Sequence, residues 1–253
     1  MVKGEFNHWI QFRSAKKNPG HRLFCFPFAG GGASQYATWK SFMGDEIEVV
    51  PIQLPGRENR VKETFITDPE ELLDQVIDSV YPLIADGDFS VFGHSMGGLL
   101  AFRFAKKLEK KYQLQSKMLF ISATGMDSKV RDKKISVLPE QEFLHEVESF
   151  GGLEKELWNY PEFLQLYINI LRHDFRLIEN YNMEEKEPVS IPIRVYYGTE
   201  DCCVGKEQAE SWRNYTTEGF SMKEFKGDHF FLKSKKQELC QDIKQSIENR
   251  VGS

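Results

Sequence analysis

Short apolar runs alternate with longer amphipathic segments along this chain. Between the runs, apolar positions at helical spacing begin at Asp68, near Ser95 and at about Lys233. Alternating strands and helices predict an α/β fold, with a mostly parallel central sheet flanked by helices on both faces. The predicted strands cover six segments: Arg22–Phe28, Ile47–Ile52, Phe89–Gly93, Lys117–Ser122, Ile193–Tyr197 and Ser221–Phe225.

One long stretch interrupts this alternation. Residues from about 136 to 182 have the pattern of several consecutive helices, with Gly151-Gly152 as a break and no obvious strand. We expect this helical insertion to form a lid, and the alternative is an ordinary helical excursion packed beside the core. No repeat, low-complexity tract or linker divides the chain, so residues 1–253 are predicted to form a single domain.

Composition excludes several classes of protein. Phe, Leu, Ile and Val are plentiful, which excludes a disordered chain. No stretch approaches 18 uncharged apolar residues, so no membrane span is expected. The 33 basic and 38 acidic residues give a net charge of -5. A global basic field for nucleic acid is therefore absent.

Cysteine usage and the amino terminus bear on the cellular compartment. Cys25, Cys202, Cys203 and Cys240 show no zinc-ligand spacing. The segment Met1–Arg13 has no apolar core of signal-peptide length. We expect free thiols in a reducing cytoplasm, and neither a metal nor a resident cofactor.

A candidate nucleophile lies in the G-x-S-x-G sequence that runs from Gly93 to Gly97. The motif alone is weak, but here a strand ends at Gly93 and a helix begins just after Ser95. That strand–turn–helix setting is the one in which the motif carries a nucleophilic serine. The helix amino terminus also favours negative charge beside the hydroxyl. Ser95 is therefore the predicted nucleophile, and an idle serine in a glycine-rich turn is the alternative.

A serine hydroxyl needs a base, and the base needs an acid that orients it. In this architecture the acid and then the histidine follow the serine along the chain. His229 is the histidine that follows the last strand, so it is the predicted base. Asp201 ends the preceding strand and is the predicted acid, with Glu200 as its possible replacement. Asp228 is adjacent to the histidine, and neighbouring loop side chains rarely pair in this way.

An oxyanion hole is expected beside the serine. One donor should be the backbone N–H of Met96, which follows the nucleophile. The other should come from the glycine-rich loop within residues 26–32, where the backbone can approach a ligand. No G-K-[ST] follows these glycines, and their spacing is not that of a dinucleotide site.

With these residues the chain resembles the type II thioesterases, stand-alone α/β-hydrolases that serve non-ribosomal peptide and polyketide synthases. The matching segments occur in the family's order over nearly the whole chain: Phe26–Gly31, Leu54–Arg57 with Arg60, Phe92–Gly98, Leu138-Pro139, Gly151-Gly152, Leu171–Asp174 with Tyr181, Gly198–Asp201 and Gly227–Phe231. The adjacent pair Cys202-Cys203, and Phe28 where tyrosine is frequent, depart from the pattern.

The resemblance implies an α/β-hydrolase fold and the triad Ser95, Asp201 and His229. It implies that Ala29 and Met96 supply the oxyanion-hole N–H groups. It also implies an activity, which is the hydrolysis of acyl, aminoacyl or peptidyl thioesters on the phosphopantetheine arm of carrier proteins. The resemblance further implies that the protein is a monomer. A general carboxylesterase or acyl-CoA thioesterase is the first alternative, and a non-catalytic binding module is the second.

Some basic residues could contact the partner. The lysines at 106, 107, 110 and 111, and the cluster of Lys129, Arg131, Lys133 and Lys134, could dock an acidic carrier protein. For each cluster the alternative is a solvated surface. Arg57 and Arg60 could contact a pantetheine phosphate, and a structural arginine that ties the loop to the lid is equally expected.

Overall fold

A six-stranded parallel sheet forms the centre of the computed structural model, which describes residues 7–13, 19–85, 87–126, 133–153, 155–181 and 187–251. The strands are β1 (His21–Phe26), β2 (Ile47–Pro51), β3 (Asp88–His94), β4 (Leu119–Ser122), β5 (Ile193–Gly198) and β6 (Phe220–Phe225). Their spatial order is β2-β1-β3-β4-β5-β6, and each neighbouring pair is parallel. All six predicted strands are confirmed, with ends within two residues of the prediction.

Helices connect the strands. They are α1 (Pro69–Ile84), α2 (Met96–Lys107), α3 (Glu140–Ser149), α4 (Pro161–Glu179), α5 (Lys206–Glu210), α6 (Phe231–Ser234) and α7 (Lys236–Val251). Short 3₁₀ segments cover Ala33–Tyr36, Trp39–Ser41, Glu58–Arg60, Ile135–Val137, Lys155–Asn159 and Ser211–Tyr215, and a π turn covers Leu108–Tyr112. The helix expected from about Lys233 is in fact two helices, because Lys235 leaves the helical conformation at φ -105 and ψ 19.

Local sequence explains where helix α1 begins. Pro69 occupies the first turn, where its missing N–H costs nothing. The Asp68 carboxylate accepts hydrogen bonds from the N–H groups of Glu70 and Glu71 at 2.8 and 3.0 Å. A cap of this kind stabilises a helix by about 1 kcal/mol.

The sheet is buried on both faces. Along β1, Phe24 and Phe26 pack into one core, and Leu23 and Cys25 pack into the other. Alternate residues of a strand point to opposite faces, so an unbroken apolar run is what this position requires. Helices α1 and α2 cover the first core, and α7 covers the second.

The segment between β4 and β5 contains helices α3 and α4. Residues of both helices, among them Phe143 and Phe175, belong to the same core as α1 and α2. The two rings meet edge to face, with centroids 5.9 Å apart. This segment therefore packs directly on the sheet domain. Among the described residues, no helix combines the length and the apolar character that a membrane crossing requires.

Candidate active site

Three of the predicted site residues lie at one edge of the sheet. Ser95 directly follows β3, Asp201 follows β5, and His229 lies in the loop after β6. All of these strands are parallel, so their carboxyl ends meet at the same edge. The topology thus brings together residues that are far apart along the chain.

The turn at Ser95 is strained. Its φ of 53 and ψ of -121 lie outside the regions that residues with a side chain normally adopt. Two glycines make the turn possible, because a Cβ on Gly93 would lie 1.9 Å from the Gly97 carbonyl oxygen, and one on Gly97 would lie 2.3 Å from the Phe26 carbonyl oxygen. Strain of this kind is typical of functional positions, and here it presents the hydroxyl at the start of α2.

The three side chains form a continuous hydrogen-bonded chain. His229 Nε2 lies 2.9 Å from Ser95 Oγ, and His229 Nδ1 lies 2.8 Å from Asp201 Oδ2. The Asp201 carboxylate is fully buried and the imidazole is 9% exposed. An ionised carboxylate can only accept, so it favours the imidazole tautomer that carries its proton on Nδ1. That tautomer leaves the Nε2 lone pair facing the serine hydroxyl.

The other oxygen of Asp201 is also held. Its Oδ1 accepts hydrogen bonds from the backbone N–H groups of Cys203 and Val204 at 2.7 and 3.1 Å. By contrast, Glu200 is exposed, and the Asp228 carboxylate accepts from the Phe230 N–H at 2.9 Å. Of the three carboxylates considered from sequence, Asp201 is the one that contacts the histidine.

His94 supports the loop that carries His229. Its Nε2 lies 2.9 Å from the His229 carbonyl oxygen and its Nδ1 lies 2.9 Å from Ser122 Oγ. Since a carbonyl can only accept, Nε2 donates and Nδ1 accepts from the serine hydroxyl. Burial, and then the nearby His229, hold the pKa of His94 well below its usual value, so the ring stays neutral. Sequence reasoning missed this contact.

The two residues predicted to supply oxyanion-hole N–H groups, Ala29 and Met96, line the cavity beside Ser95. Met96 opens helix α2, and Ala29 lies in the loop after β1. Among the turn and loop backbone hydrogen bonds of the described residues, neither N–H is a donor. Free N–H donors at a helix amino terminus are suited to a developing oxyanion.

The loop after β1 is fixed by a buried carboxylate from helix α4. Asp174 Oδ2 accepts from the Gly30 N–H at 2.7 Å. Arg57 donates to both oxygens of Asp174, at 2.7 and 2.6 Å, and to the Gly31 carbonyl at 3.0 Å. The Arg57 guanidinium therefore has the structural role considered from the sequence, that of an arginine that ties its loop to the helical insertion.

Arg60 is also engaged within the protein. Its guanidinium is buried, pairs with Glu63 and donates to the Gln53 carbonyl at 2.8 Å. It also stacks over the Trp9 ring, 4.1 Å from the ring centroid. This arginine is held by intramolecular contacts rather than presented to a ligand.

An apolar cavity opens beside the serine. Helix α2 and the segment between β4 and β5 both contribute to its walls, which include Leu99, Val147, Phe150, Leu171, Phe175 and Ile178. Phe28 and Phe230 also line it, with ring centroids 5.3 Å apart. The lining suits an apolar acyl group next to the nucleophile.

The lysines considered as docking residues are largely paired. Lys106 is buried, and Lys107 and Lys111 form ion pairs with Glu70 and Asp74. In the same cluster, Lys110 pairs with Glu187. In the second cluster, Lys133 pairs with Glu146 at 2.6 Å, whereas Lys129 and Arg131 lie outside the described residues. Three of the four lysines in the first cluster are thus paired with acidic neighbours.

Comparisons with known proteins identify the family of this chain. The thioesterase domain model matches residues 21–247. The chain belongs to the thioesterase domain family. It is therefore a thioester hydrolase, and the activity class and α/β-hydrolase fold implied by the resemblance are confirmed.

Individual relatives match over nearly their full length. The gramicidin S biosynthesis protein GrsT of Aneurinibacillus migulanus is 34% identical over 94% of this chain and 93% of its own. The human medium-chain S-acyl fatty acid synthase thioesterase is 35% identical over 87% of this chain and 85% of its own. Among solved structures, the RedJ thioesterase of the prodiginine pathway in Streptomyces coelicolor has a TM-score of 0.82 at 31% identity, over 90% of this chain and 85% of that one.

Proposed function

We propose that this thioesterase hydrolyses acyl, aminoacyl or peptidyl thioesters from the phosphopantetheine arm of carrier proteins, and so clears stalled synthases. The observation that carries the proposal is the chain of hydrogen bonds from Ser95 through His229 to Asp201. It ends at an apolar cavity that Ala29 and Met96 also line. The phosphopantetheine belongs to the partner, and the chain itself uses no cofactor.

In the first half of the reaction, Ser95 Oγ attacks the thioester carbonyl. His229 Nε2, 2.9 Å away, accepts the hydroxyl proton, and the Asp201 carboxylate stabilises the imidazolium that forms. The carbonyl oxygen becomes an oxyanion and receives hydrogen bonds from Ala29 and Met96. Collapse of this intermediate expels the pantetheine thiol, which takes the proton from His229, and leaves an acyl group on Ser95.

In the second half, water replaces the thiol. His229 removes a proton from the water as it attacks the acyl carbon, and the same two N–H groups receive the second oxyanion. When this intermediate collapses, the Ser95 oxygen regains its proton from His229. The free acid leaves, and the enzyme returns to its starting state.

The helical insertion, about residues 136–182, is proposed as the lid. Val147 and Phe150 at the end of α3, and Leu171 and Phe175 of α4, line the cavity beside Ser95. A cover of this kind excludes water from the acyl group and strengthens the electrostatic interactions beneath it. The long pantetheine arm would enter beside this cover.

Relatives support the carrier-bound substrate. One is named for gramicidin S biosynthesis and another for a fatty acid synthase, and a structural neighbour is assigned to the prodiginine pathway. In such systems the acyl group is carried as a thioester on a carrier protein. The same chemistry is therefore proposed for this chain.

A hydrolysis comparison tests the proposal. A carrier protein loaded with acetyl-phosphopantetheine, acetyl-CoA and p-nitrophenyl acetate are supplied to the wild type, to Ser95→Ala and to Ser41→Ala. Ser41 is an exposed serine whose hydroxyl bonds to the Thr38 carbonyl, so it serves as the matched control. We expect the highest kcat/KM on the loaded carrier, its loss in Ser95→Ala and its retention in Ser41→Ala.

Two other results would contradict the proposal. Equal or faster hydrolysis of the free esters would favour a general esterase or an acyl-CoA thioesterase on the same fold. No turnover of any thioester by the folded wild-type protein would favour a binding module.

A further inference from the structure

Two adjacent thiols follow the proposed catalytic acid. Cys202 and Cys203 come directly after Asp201, and their sulfur atoms lie 3.7 Å apart. Cys202 is exposed and Cys203 is partly buried. The remaining thiols, of Cys25 and Cys240, are fully buried, so a reagent in solution meets Cys202 first.

The dithiol is connected to the active site on both sides. The Cys203 N–H donates to Asp201 Oδ1 at 2.7 Å, and Cys203 lines the cavity beside Ser95. On the other side, the Cys202 thiol contacts the Ser149 carbonyl at 3.4 Å, at the end of helix α3. A chemical change at this pair of thiols would therefore affect the contacts with Asp201 and with the proposed lid.

A metal is a poor match for this cluster, although Asp201, Cys202 and Cys203 place ligand atoms within 4.8 Å of one another. Asp201 Oδ2 is bonded to His229, and Oδ1 accepts two backbone N–H groups. A metal would have to displace these bonds, and two thiolates alone do not complete a structural zinc site. Thiol–disulfide chemistry needs only the two sulfur atoms.

We propose that Cys202 and Cys203 form a reversible oxidation site that switches the hydrolase off by closing a disulfide between them. This inference rests on the proposed role of Asp201. The oxidant is a low-molecular-weight disulfide. The Cys202 thiolate attacks one of its sulfur atoms and releases one thiolate, which leaves a mixed disulfide. The Cys203 sulfur then attacks Cys202 and releases the second thiolate.

The exchange is balanced. The two protein thiols lose two electrons and two protons, and the small disulfide becomes two thiols. Burial, followed by the neighbouring Cys202 and Asp201, raises the pKa of the Cys203 thiol. The exposed Cys202 therefore reacts first, and Cys203 completes the ring in an intramolecular step.

Closure must move the backbone around the acid. The sulfur atoms have to approach from 3.7 Å to about 2.05 Å, which rotates the peptide unit that joins the two residues. That unit carries the Cys203 N–H bonded to Asp201. The buried carboxylate then loses a hydrogen bond and shifts relative to His229. A displacement of about 1 Å in a catalytic site can lower turnover by about 100-fold.

A disulfide between two residues that are adjacent in sequence is also easy to reduce. Neighbouring Cα atoms are about 3.8 Å apart, whereas disulfides usually join Cα atoms roughly 4.4–6.8 Å apart. Strained or exposed disulfides are easily reduced, and regulatory disulfides belong to this group. The switch therefore returns to the active dithiol when reductant is restored.

The test treats the full-length wild type and Cys202→Ser with oxidised glutathione and then with dithiothreitol. Intact mass and peptide mapping report the disulfide, thioester turnover reports activity, and labelling of Ser95 by a fluorophosphonate reports nucleophile activation. We expect the wild type to lose two hydrogen atoms in the peptide that holds residues 202 and 203. Its turnover and labelling rate should fall about 10- to 100-fold and recover on reduction. Cys202→Ser should keep both rates throughout.

Three results would overturn the inference. The first is no loss of hydrogen from this peptide, and the second is a glutathione adduct on Cys202 that does not go on to form the disulfide. The third is full closure of the disulfide with unchanged Ser95 labelling. Because mass and labelling do not depend on the substrate, a reduced wild type that labels but hydrolyses no thioester would reject the proposed function and leave the switch to be judged by the other readouts.

Discussion

Arg57 and Asp174 form a buried ion pair that joins the loop after β2 to helix α4. Arg57 Nη2 lies 2.6 Å from Asp174 Oδ1, and both side chains are almost fully buried. The other oxygen of Asp174 accepts the Gly30 N–H at 2.7 Å, one residue after Ala29. The proposed lid helix thus sets the position of a proposed oxyanion donor.

We expect Asp174→Asn to lower both stability and turnover. The amide leaves the Arg57 charge buried without a counter-charge, which costs about 3–5 kcal/mol of the free energy of unfolding. It also weakens the bond to Gly30, so kcat of the folded protein should fall about 10- to 100-fold. Urea unfolding and thioester turnover measure the two effects.

Asp242→Asn is the matched control. Asp242 of α7 pairs with Arg194 at 2.6 Å, is mostly buried and lies outside the cavity. Its substitution should lower the free energy of unfolding by about 1–3 kcal/mol and leave kcat unchanged. Equal loss of kcat in both variants would show that Asp174 acts through general stability alone.

Substitutions in the proposed triad should show which of two neighbouring carboxylates, Asp201 or Glu200, is the catalytic acid. We expect Ser95→Ala to lower kcat by about 10⁶-fold and Asp201→Asn by about 10⁴-fold, because the amide favours the wrong imidazole tautomer. Glu200→Gln should keep kcat, since that side chain is exposed. A larger loss in Glu200→Gln than in Asp201→Asn would reject the assigned acid.

The glycine at 97 should not tolerate a methyl group. A Cβ there would lie 2.3 Å from the Phe26 carbonyl oxygen, and backbone atoms cannot move aside as a flexible side chain can. We expect Gly97→Ala to cost about 3 kcal/mol of the free energy of unfolding in urea. Gly219→Ala, whose Cβ would meet Pro192 at an ordinary 3.8 Å, should cost less than about 0.5 kcal/mol. Equal costs would contradict this steric account.

Stability should fall as the pH falls below about 6.5, in part because of His21. Burial lowers the pKa of His21 to about 4, while its Nε2 stays 2.9 Å from Ser90 Oγ. Between these two values the unfolded chain binds a proton that the folded protein does not, so acid favours unfolding. At pH 5 the contribution is about 2 kcal/mol.

His21→Gln isolates this contribution. The variant cannot take up the proton, so its stability relative to the wild type should improve by about 2 kcal/mol between pH 7 and pH 5. Urea unfolding at the two pH values measures the change. Parallel pH profiles for the two proteins would show that His21 does not contribute.

Much of the fold could be predicted from the sequence, because its signals are local. A parallel strand that is buried on both faces is expected to be mostly apolar, and in β1 the residues from Leu23 to Phe26 form such a run. Helix α1 was placed by Asp68 and Pro69, and the nucleophile by the glycines around Ser95. The break at Lys235 was not predicted, since the pattern is continuous there and only the backbone conformation divides α6 from α7.

The sequence by itself determined the strands, the turn at Ser95 and the order of candidate acid and base, because each depends on neighbouring residues. Tertiary structure alone decided which carboxylate contacts His229 and that Arg57 pairs with Asp174, 117 positions away. It also decided that His94 holds the His229 carbonyl across 135 positions. Such contacts join distant segments through single atoms, so they leave no periodic pattern in the sequence. They form only when the sheet brings the carboxyl ends of its parallel strands to the same edge.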